Sequence, residues 1–237
     1  MFSLWQRGFV KACAANRRAI YGLLASSPIK PQGTNLSNGS AFMVAPGLLV
    51  TAAHSVYFEN DPTKPPHKRY ELIRAPDVGQ QMEIATLVAV DNVKDLALLR
   101  IAAPRSTARL KMLKGRVPSG TPCGSLGFPL AQVGVTSQGV VSFNLWERFQ
   151  GANVSRFGTD TDNNGNTITF YETDSLMYEG SSGCPGFIRS GEVFGVQSRS
   201  LVQAPKAGAA AVTRLAISMW VSSTDIIAFV ARNGVVL

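Results

Sequence analysis

Acidic residues are missing from the first quarter of this chain: none precedes Glu59, and across 237 residues 15 Asp and Glu stand against 23 Lys and Arg, a formal net charge of +8. Clustered basic side chains attract phosphate, yet no run of Lys or Arg interleaved with aromatics occurs, so nucleic acid is not expected as the partner. Cysteine is scarcer still. Cys13, Cys123 and Cys184 cannot form a full set of pairs, and their spacing fits neither a disulfide framework nor a zinc site. They read as free thiols, which points to a reducing, intracellular and cytoplasmic setting. The longest apolar runs, such as Ile84 to Val90, are too short to cross a bilayer, so no membrane span is expected. Internal repeats and low-complexity tracts are absent, and disorder across most of the chain is excluded by an ordinary globular composition.

The chain opens on MFSLWQRGFVKACAANRR, which places Phe2, Trp5, Phe9 and Cys13 on one helical face. Arg17 and Arg18 interrupt the apolar stretch that a secretory signal would need. Two readings stay open for residues 1–18: an amphipathic helix packed on the domain or holding a homo-oligomer together, and an Arg-rich, acid-free mitochondrial presequence. From Ala19 the pattern changes to short β-type runs punctuated by Gly, Pro, Asn and Asp, among them AIYGLLAS, SAFMVAPGLLVTAA, EIATLVAV, LALLRI, NTITFYE and GFIRSGEVFGVQS. The pattern predicts an all-β fold. APG and RSGE supply hairpin turns, and STDIIAFVARNG predicts a closing helix with Ser or Thr at its start and Asn-Gly at its end.

Three stretches carry chemistry. LLVTAAHSV sets His54 just after a strand, VDNVKDLALLRI sets Asp95 at the entry to another, and EGSSGCPGF sets Ser182 in a glycine-flanked turn. A serine hydroxyl becomes a nucleophile only when a base removes its proton, and a carboxylate must hold that base in the right tautomer. Glycines around the serine let backbone N–H groups converge on an oxyanion, a role that falls to Gly180 and Ser182. Ser182, rather than Ser181, is flanked as G-x-S-G. Asp91 rivals Asp95, but only Asp95 abuts the apolar run that would bury it, so Asp91 reads as a turn residue. His67, in the Pro-rich DPTKPPHKRY, reads as a solvated loop residue. DTDNNGN, residues 160–166, opens like a calcium loop, but Tyr171 fills the twelfth position and β-type sequence flanks it. It reads as a hairpin turn, with no metal site.

The order His, Asp, Ser with these flanks resembles the trypsin/chymotrypsin-like serine proteases, most closely their HtrA/Deg-like branch. TAAH, DLALL and TDSLMYEGSSGCP match the family's three motifs in order, and the resemblance covers nearly the whole chain from Ala19. It implies two packed six-stranded antiparallel β-barrels, about 19–115 and 116–237 within a protease domain of 19–237, with short N- and C-terminal helices. Relatives of this branch often carry a PDZ domain after the protease, and none is expected in this sequence, whose last predicted element is the closing helix. It implies a serine endopeptidase with the triad His54, Asp95 and Ser182, needing no cofactor. Leu176, six residues before the nucleophile, takes the family's pocket-floor position; with Met177 and Val196 it implies a pocket for small to medium aliphatic side chains. Val196 to Ser200 implies a strand that binds substrate backbone. Cys123 resembles a position that is disulfide-bonded in many secreted relatives, and its partner position is Ile188 here. Ser181 and Cys184 depart from the family's Asn or Asp and Gly. They keep open a second reading, a peptide-binding module of the same fold that does not cleave. A protein or peptide partner and a monomer or homo-oligomer, a trimer included, fit either reading.

Overall fold

The computed structural model describes residues 4–28, 34–74, 82–129, 132–135, 141–161, 164–203 and 213–237. Helix α1 (Leu4–Asn16) leads into a first closed antiparallel barrel in the order β1 (Ile20–Pro28), β2 (Thr34–Ala45), β3 (Leu48–Ala52), β6 (Leu96–Arg100), β5 (Met82–Asp91) and β4 (Arg69–Arg74). The second closed barrel runs β10 (Arg148–Thr161), β11 (Thr167–Thr173), β14 (Thr213–Ser222), β13 (Val193–Gln203), β12 (Pro185–Ile188) and β7 (Pro122–Gly127). A separate hairpin pairs β8 (Gln132–Val135) with β9 (Val141–Asn144), and α2 (Ser223–Arg232) closes the chain. The all-β expectation and the twin six-stranded barrels are therefore both seen.

Strand β3 is LLVTA and is buried at every position. One face fills the first barrel, pairing Leu49 with Leu99 and Val50 with Leu98 of β6, and β3 also packs against β13 of the second barrel. A strand buried on both faces reads as a continuous apolar run. Its end therefore delivers the next residues into the seam between the barrels. Gly47 at the β2–β3 turn and Gly191 at the β12–β13 turn both have positive φ, as the APG and RSGE turn signals require.

Helix α2 starts on Ser222, whose side chain accepts the Asp225 N–H, and Asn233 and Gly234 follow its last turn. It buries Ile226, Phe229 and Val230 in a core cluster that joins side chains of both barrels. Helix α1 docks on the second barrel: the Phe9 ring lies 5.6 Å from Phe149 and 6.2 Å from Phe187, and Asn16 Nδ2 donates to the Gly191 carbonyl at 2.9 Å. Arg17 pairs with Glu147. Of the predicted aromatic stripe, Phe2 and the Trp5 side chain lie outside the described residues; Phe9 and Cys13 pack on the chain's own core.

His67 departs from expectation. It is buried, with Nε2 3.0 Å from Ser37 Oγ and Nδ1 3.2 Å from Ser27 Oγ, while its N–H donates to the Val56 carbonyl. The polar and proline-rich flanks that suggested a solvated loop surround a histidine folded back onto β1 and β2. Asp91 ends β5 as a turn residue, accepting from the Lys94 N–H at 3.0 Å and from Arg232 at 2.7 Å. Of residues 160–166, Asp160 and Thr161 end β10, paired with Ile168 and Thr167 of β11, and Asp162 and Asn163 lie outside the described residues; among the described residues no cluster of metal-ligating side chains occurs.

Candidate active site

His54 sits in a 3₁₀ turn (Ala53–Val56) at the end of β3, and Asp95 sits in the turn that enters β6. The adjacency follows from strand pairing, since Ala52 is in register with Leu96, and the Ala53 N–H donates to the Asp95 carbonyl at 3.0 Å. The Asp95 carboxylate accepts from the His54 backbone N–H at 2.9 Å, and its Oδ2 lies 2.9 Å from His54 Nδ1. A third donor comes from the second barrel: Ser198 Oγ on β13 donates to Asp95 Oδ2 at 2.5 Å. Asp95 holds φ at +52°, a left-handed conformation that costs a non-glycine residue about 1–3 kcal/mol unless its surroundings fix it. These bonds are what fix it. Nδ1 is thereby committed to the carboxylate, which leaves Nε2 for chemistry.

Ser182 lies in the loop between β11 and β12. Gly180 and Gly183 flank it, with φ of +85° and +84°. A side chain at Gly183 would place its Cβ 2.1 Å from the Ser40 carbonyl and 2.3 Å from Thr51 Oγ1, and one at Gly180 would come 2.6 Å from the Phe128 carbonyl. The glycines are therefore required by both conformation and space. Ser40 of β2 clasps this loop. Its N–H donates to the Ser182 carbonyl at 2.7 Å, and its hydroxyl donates to the Gly180 carbonyl at 2.9 Å while accepting the Phe128 N–H at 3.0 Å. Further along, Gly183 N–H donates to Gln197 O and Gln197 N–H to Cys184 O, stitching the loop to β13. Among the described residues, neither the Gly180 nor the Ser182 amide donates to a protein acceptor. Ser182 Oγ makes no hydrogen bond to His54.

Cys184 is buried beneath the loop, where burial pushes its thiol pKa well up, and it faces Gly127 of β7. It fills space next to a residue without a side chain. Ile188 lies directly opposite Cys123 in the β12–β7 pairing, so the cysteine's neighbour is aliphatic and all three thiols are free.

A cavity of about 200 Å³ opens beside Ser182, lined by Met177, Tyr178, Gln197, Ser198 and Ser200, with the exposed Glu179 and Arg199. Of the three residues expected to shape a pocket, Met177 lines it. Leu176 is half-buried outside the lining, its carbonyl accepting from Gln150 Nε2 at 2.6 Å, and Val196 is fully buried in register with Pro185 and Val221. Gln197 and Ser198 fall in the Val196–Ser200 stretch expected to bind substrate backbone, but their side chains, one in the cavity wall and one on Asp95, were not foreseen, because strand alternation carries no sign of them. A larger cavity of about 440 Å³ continues on the far side of Ser198, lined by His54, Val93, Asp95, Phe170, Arg199 and Trp220 among others.

A family model for the trypsin-like peptidase domain matches residues 39–196, from the clasp at Ser40 to β13. The chain belongs to the trypsin-like peptidase family. The mitochondrial serine protease HTRA2 of Bos taurus is 30% identical over 178 residues, which cover 74% of this chain and 34% of that protein. Its counterpart from Drosophila ananassae is 30% identical over 168 residues, 70% of this chain and 35% of that protein. The chain thus spans about a third of the length of these relatives. The active form of the Rv3671c protease from M. tuberculosis superposes with a TM-score of 0.66 at 17% identity, covering 95% of this chain and 85% of that one, and so shares the fold. This trypsin-like chain has the HtrA-like relatives that its TAAH, DLALL and GSSGCP motifs led one to expect.

Proposed function

We propose that the chain is a serine endopeptidase that cleaves peptide bonds through an acyl-enzyme. Ser182 attacks the carbonyl, His54 Nε2 takes its proton and later gives it to the leaving amine, and Asp95 stabilises the imidazolium through Nδ1. The Gly180 and Ser182 amides hold the oxyanion. That these two donors, in a clasped serine loop, have no acceptor among the described residues is the observation that carries the reading. Pre-aimed donors of this kind are worth about 2.7–4 kcal/mol each in acyl transfer. The nucleophile–base hydrogen bond forms in the Michaelis complex, as such bonds commonly tighten only there.

Substrate backbone is read by β13. Beyond Gln197 its β12 side has no strand partner among the described residues, because β12 begins at Pro185 opposite Val196, while β14 continues along the other side to Met219 and Ser218. An extended peptide adds a strand along Ser198 to Ser200 and brings its scissile bond to Ser182. The aliphatic preference expected for the residue before that bond rests on Met177 alone, the rest of the lining being largely polar. The mitochondrial relatives favour a mitochondrial over a cytoplasmic location.

A fluorophosphonate probe tests the reaction, since it labels only a serine whose base and oxyanion hole both work. Labelling of the native chain, lost in Ser182→Ala and kept in Ser181→Ala, is the expected result. Loss in Ser181→Ala with retention in Ser182→Ala would overturn the assignment. No labelling of a folded chain that still binds peptide would favour the non-cleaving module.

A further inference from the structure

We infer that Gln197 selects the substrate residue before the scissile bond, and that the side chain it selects ends in a neutral carboxamide, glutamine above all. The inference rests on the peptide-binding site proposed above and supplies its substrate class.

Gln197 is 3% exposed and lines the cavity beside Ser182. Its backbone is fully used: the N–H donates to Cys184 O and the carbonyl accepts the Gly183 N–H. Its side chain is not. Oε1 is buried and has no hydrogen-bond partner, whereas buried side-chain polar atoms are nearly always paired. The Gln197 carboxamide borders the cavity with its oxygen turned out of reach of solvent and unpaired, and a rotation about its terminal torsion, which is broad and two-fold, presents that oxygen to a donor in the cavity. An aliphatic side chain filling the cavity would leave that oxygen unmet, which is the more costly arrangement.

The remaining walls narrow the ligand. Glu179 and Arg199 carry opposite charges and both are exposed, so neither sign is favoured by the lining. A lysine or glutamate side chain reaching Gln197 would bring a charge against a neutral amide and two serines, Ser198 and Ser200, with no buried counter-charge. A neutral end avoids that cost. Between a hydroxyl and a carboxamide, the carboxamide matches better, because Gln197 offers one acceptor and two donors and a second amide can meet an acceptor and a donor together. Met177 then packs along the methylene stem of the guest, which places one apolar wall where glutamine has its only apolar atoms.

The test compares short acetylated peptides that are identical except for glutamine, methionine, glutamate or lysine at the selected position. Methionine is close to glutamine in length and volume and lacks its hydrogen bonds. Binding is measured first on folded Ser182→Ala protein by calorimetry, so that the result does not depend on turnover. The glutamine peptide is expected to bind at least about fivefold more tightly than the methionine peptide, with glutamate and lysine weaker than both. In Ser182→Ala/Gln197→Met the glutamine preference should vanish or invert while the methionine peptide still binds, which also shows that the site has folded. Cleavage by the protein with Ser182 intact should follow the same order, with glutamine about tenfold or more above methionine in kcat/KM. Methionine equal to or above glutamine on the Gln197 background, or a glutamine preference unchanged by Gln197→Met, would overturn the inference. Binding in the expected order with no cleavage would overturn the proposed reaction and leave the selectivity standing.

Discussion

Ser40 Oγ donates to the Gly180 carbonyl at 2.9 Å across the seam between the barrels. The same hydroxyl accepts the Phe128 N–H, so a residue of β2 ties the end of β7 to the loop that carries Ser182. The Gly180 carbonyl belongs to the peptide that follows the Gly180 amide, the first of the two proposed oxyanion donors, and fixing it limits rotation about Gly180. If the proposed reaction holds, Ser40 acts through the backbone of this loop, as a positioning residue.

Ser40→Ala removes that tie and leaves two buried polar groups unmet, at a cost of about 1–3 kcal/mol each. Part of the cost falls on the loop. The expected outcome is a fall in kcat of roughly 10- to 100-fold with KM changed less than about threefold. Steady-state kinetics and the rate of fluorophosphonate labelling should drop together. A rise in KM with unchanged kcat would place Ser40 in substrate binding instead.

The first barrel's part of the site was legible in the sequence because its signals are local. TAAH ends a buried strand and DLALL starts its neighbour, and antiparallel pairing of those two strands is enough to bring His54 to Asp95. The clasp was not legible, since Ser40 lies 140 residues from Gly180 and its hydroxyl looks like any other polar group in a strand. The cavity was legible only in part for a related reason: counting back from Ser182 named Leu176 and the family resemblance named Met177 and Val196, whereas β13 turns its Gln197 toward the cavity and keeps Val196 in the core. Strand β5 shows the limit of hydrophobic pattern. Its pairing with β4 buries Glu83, which accepts the Arg105 N–H at 2.8 Å, and leaves Met82 and Ile84 about half exposed.

The docked helix makes a stability prediction. Phe9 is 2% exposed between Phe149 and Phe187. Phe9→Ala should destabilise the chain by about 3–5 kcal/mol, read as a lower urea midpoint. An unchanged midpoint would mean that α1 contributes nothing to the fold.

The thiols should be inert in the folded chain. Burial pushes the Cys123 pKa up to about 12 and that of Cys13 to about 11, with Cys184 raised further. Only the thiolate attacks an alkylating reagent. Iodoacetamide at neutral pH should therefore modify Cys123 and Cys184 only after denaturant is added, as mass spectrometry would show. Rapid labelling of Cys184 in the native chain would contradict its place beneath the serine loop.

His67 gives a pH dependence whose sign is fixed. Removal from water lowers its pKa below the ordinary 6.5, against a smaller opposing contribution from a backbone hydrogen bond with Tyr57. Unfolding returns the ring to water, so on acidification the unfolded chain takes up this proton before the folded one does. The stability carried by neutral His67 is thus complete above about pH 6.5, declines as the pH falls toward the depressed folded value, and levels off below it. His67→Gln keeps a group able to bond Ser27 and Ser37 but cannot titrate. The native chain should lose more melting temperature than His67→Gln between about pH 7.5 and pH 5, measured by differential scanning calorimetry. Identical slopes would show that His67 is as well solvated when folded as when unfolded, which its two serine partners and its burial oppose.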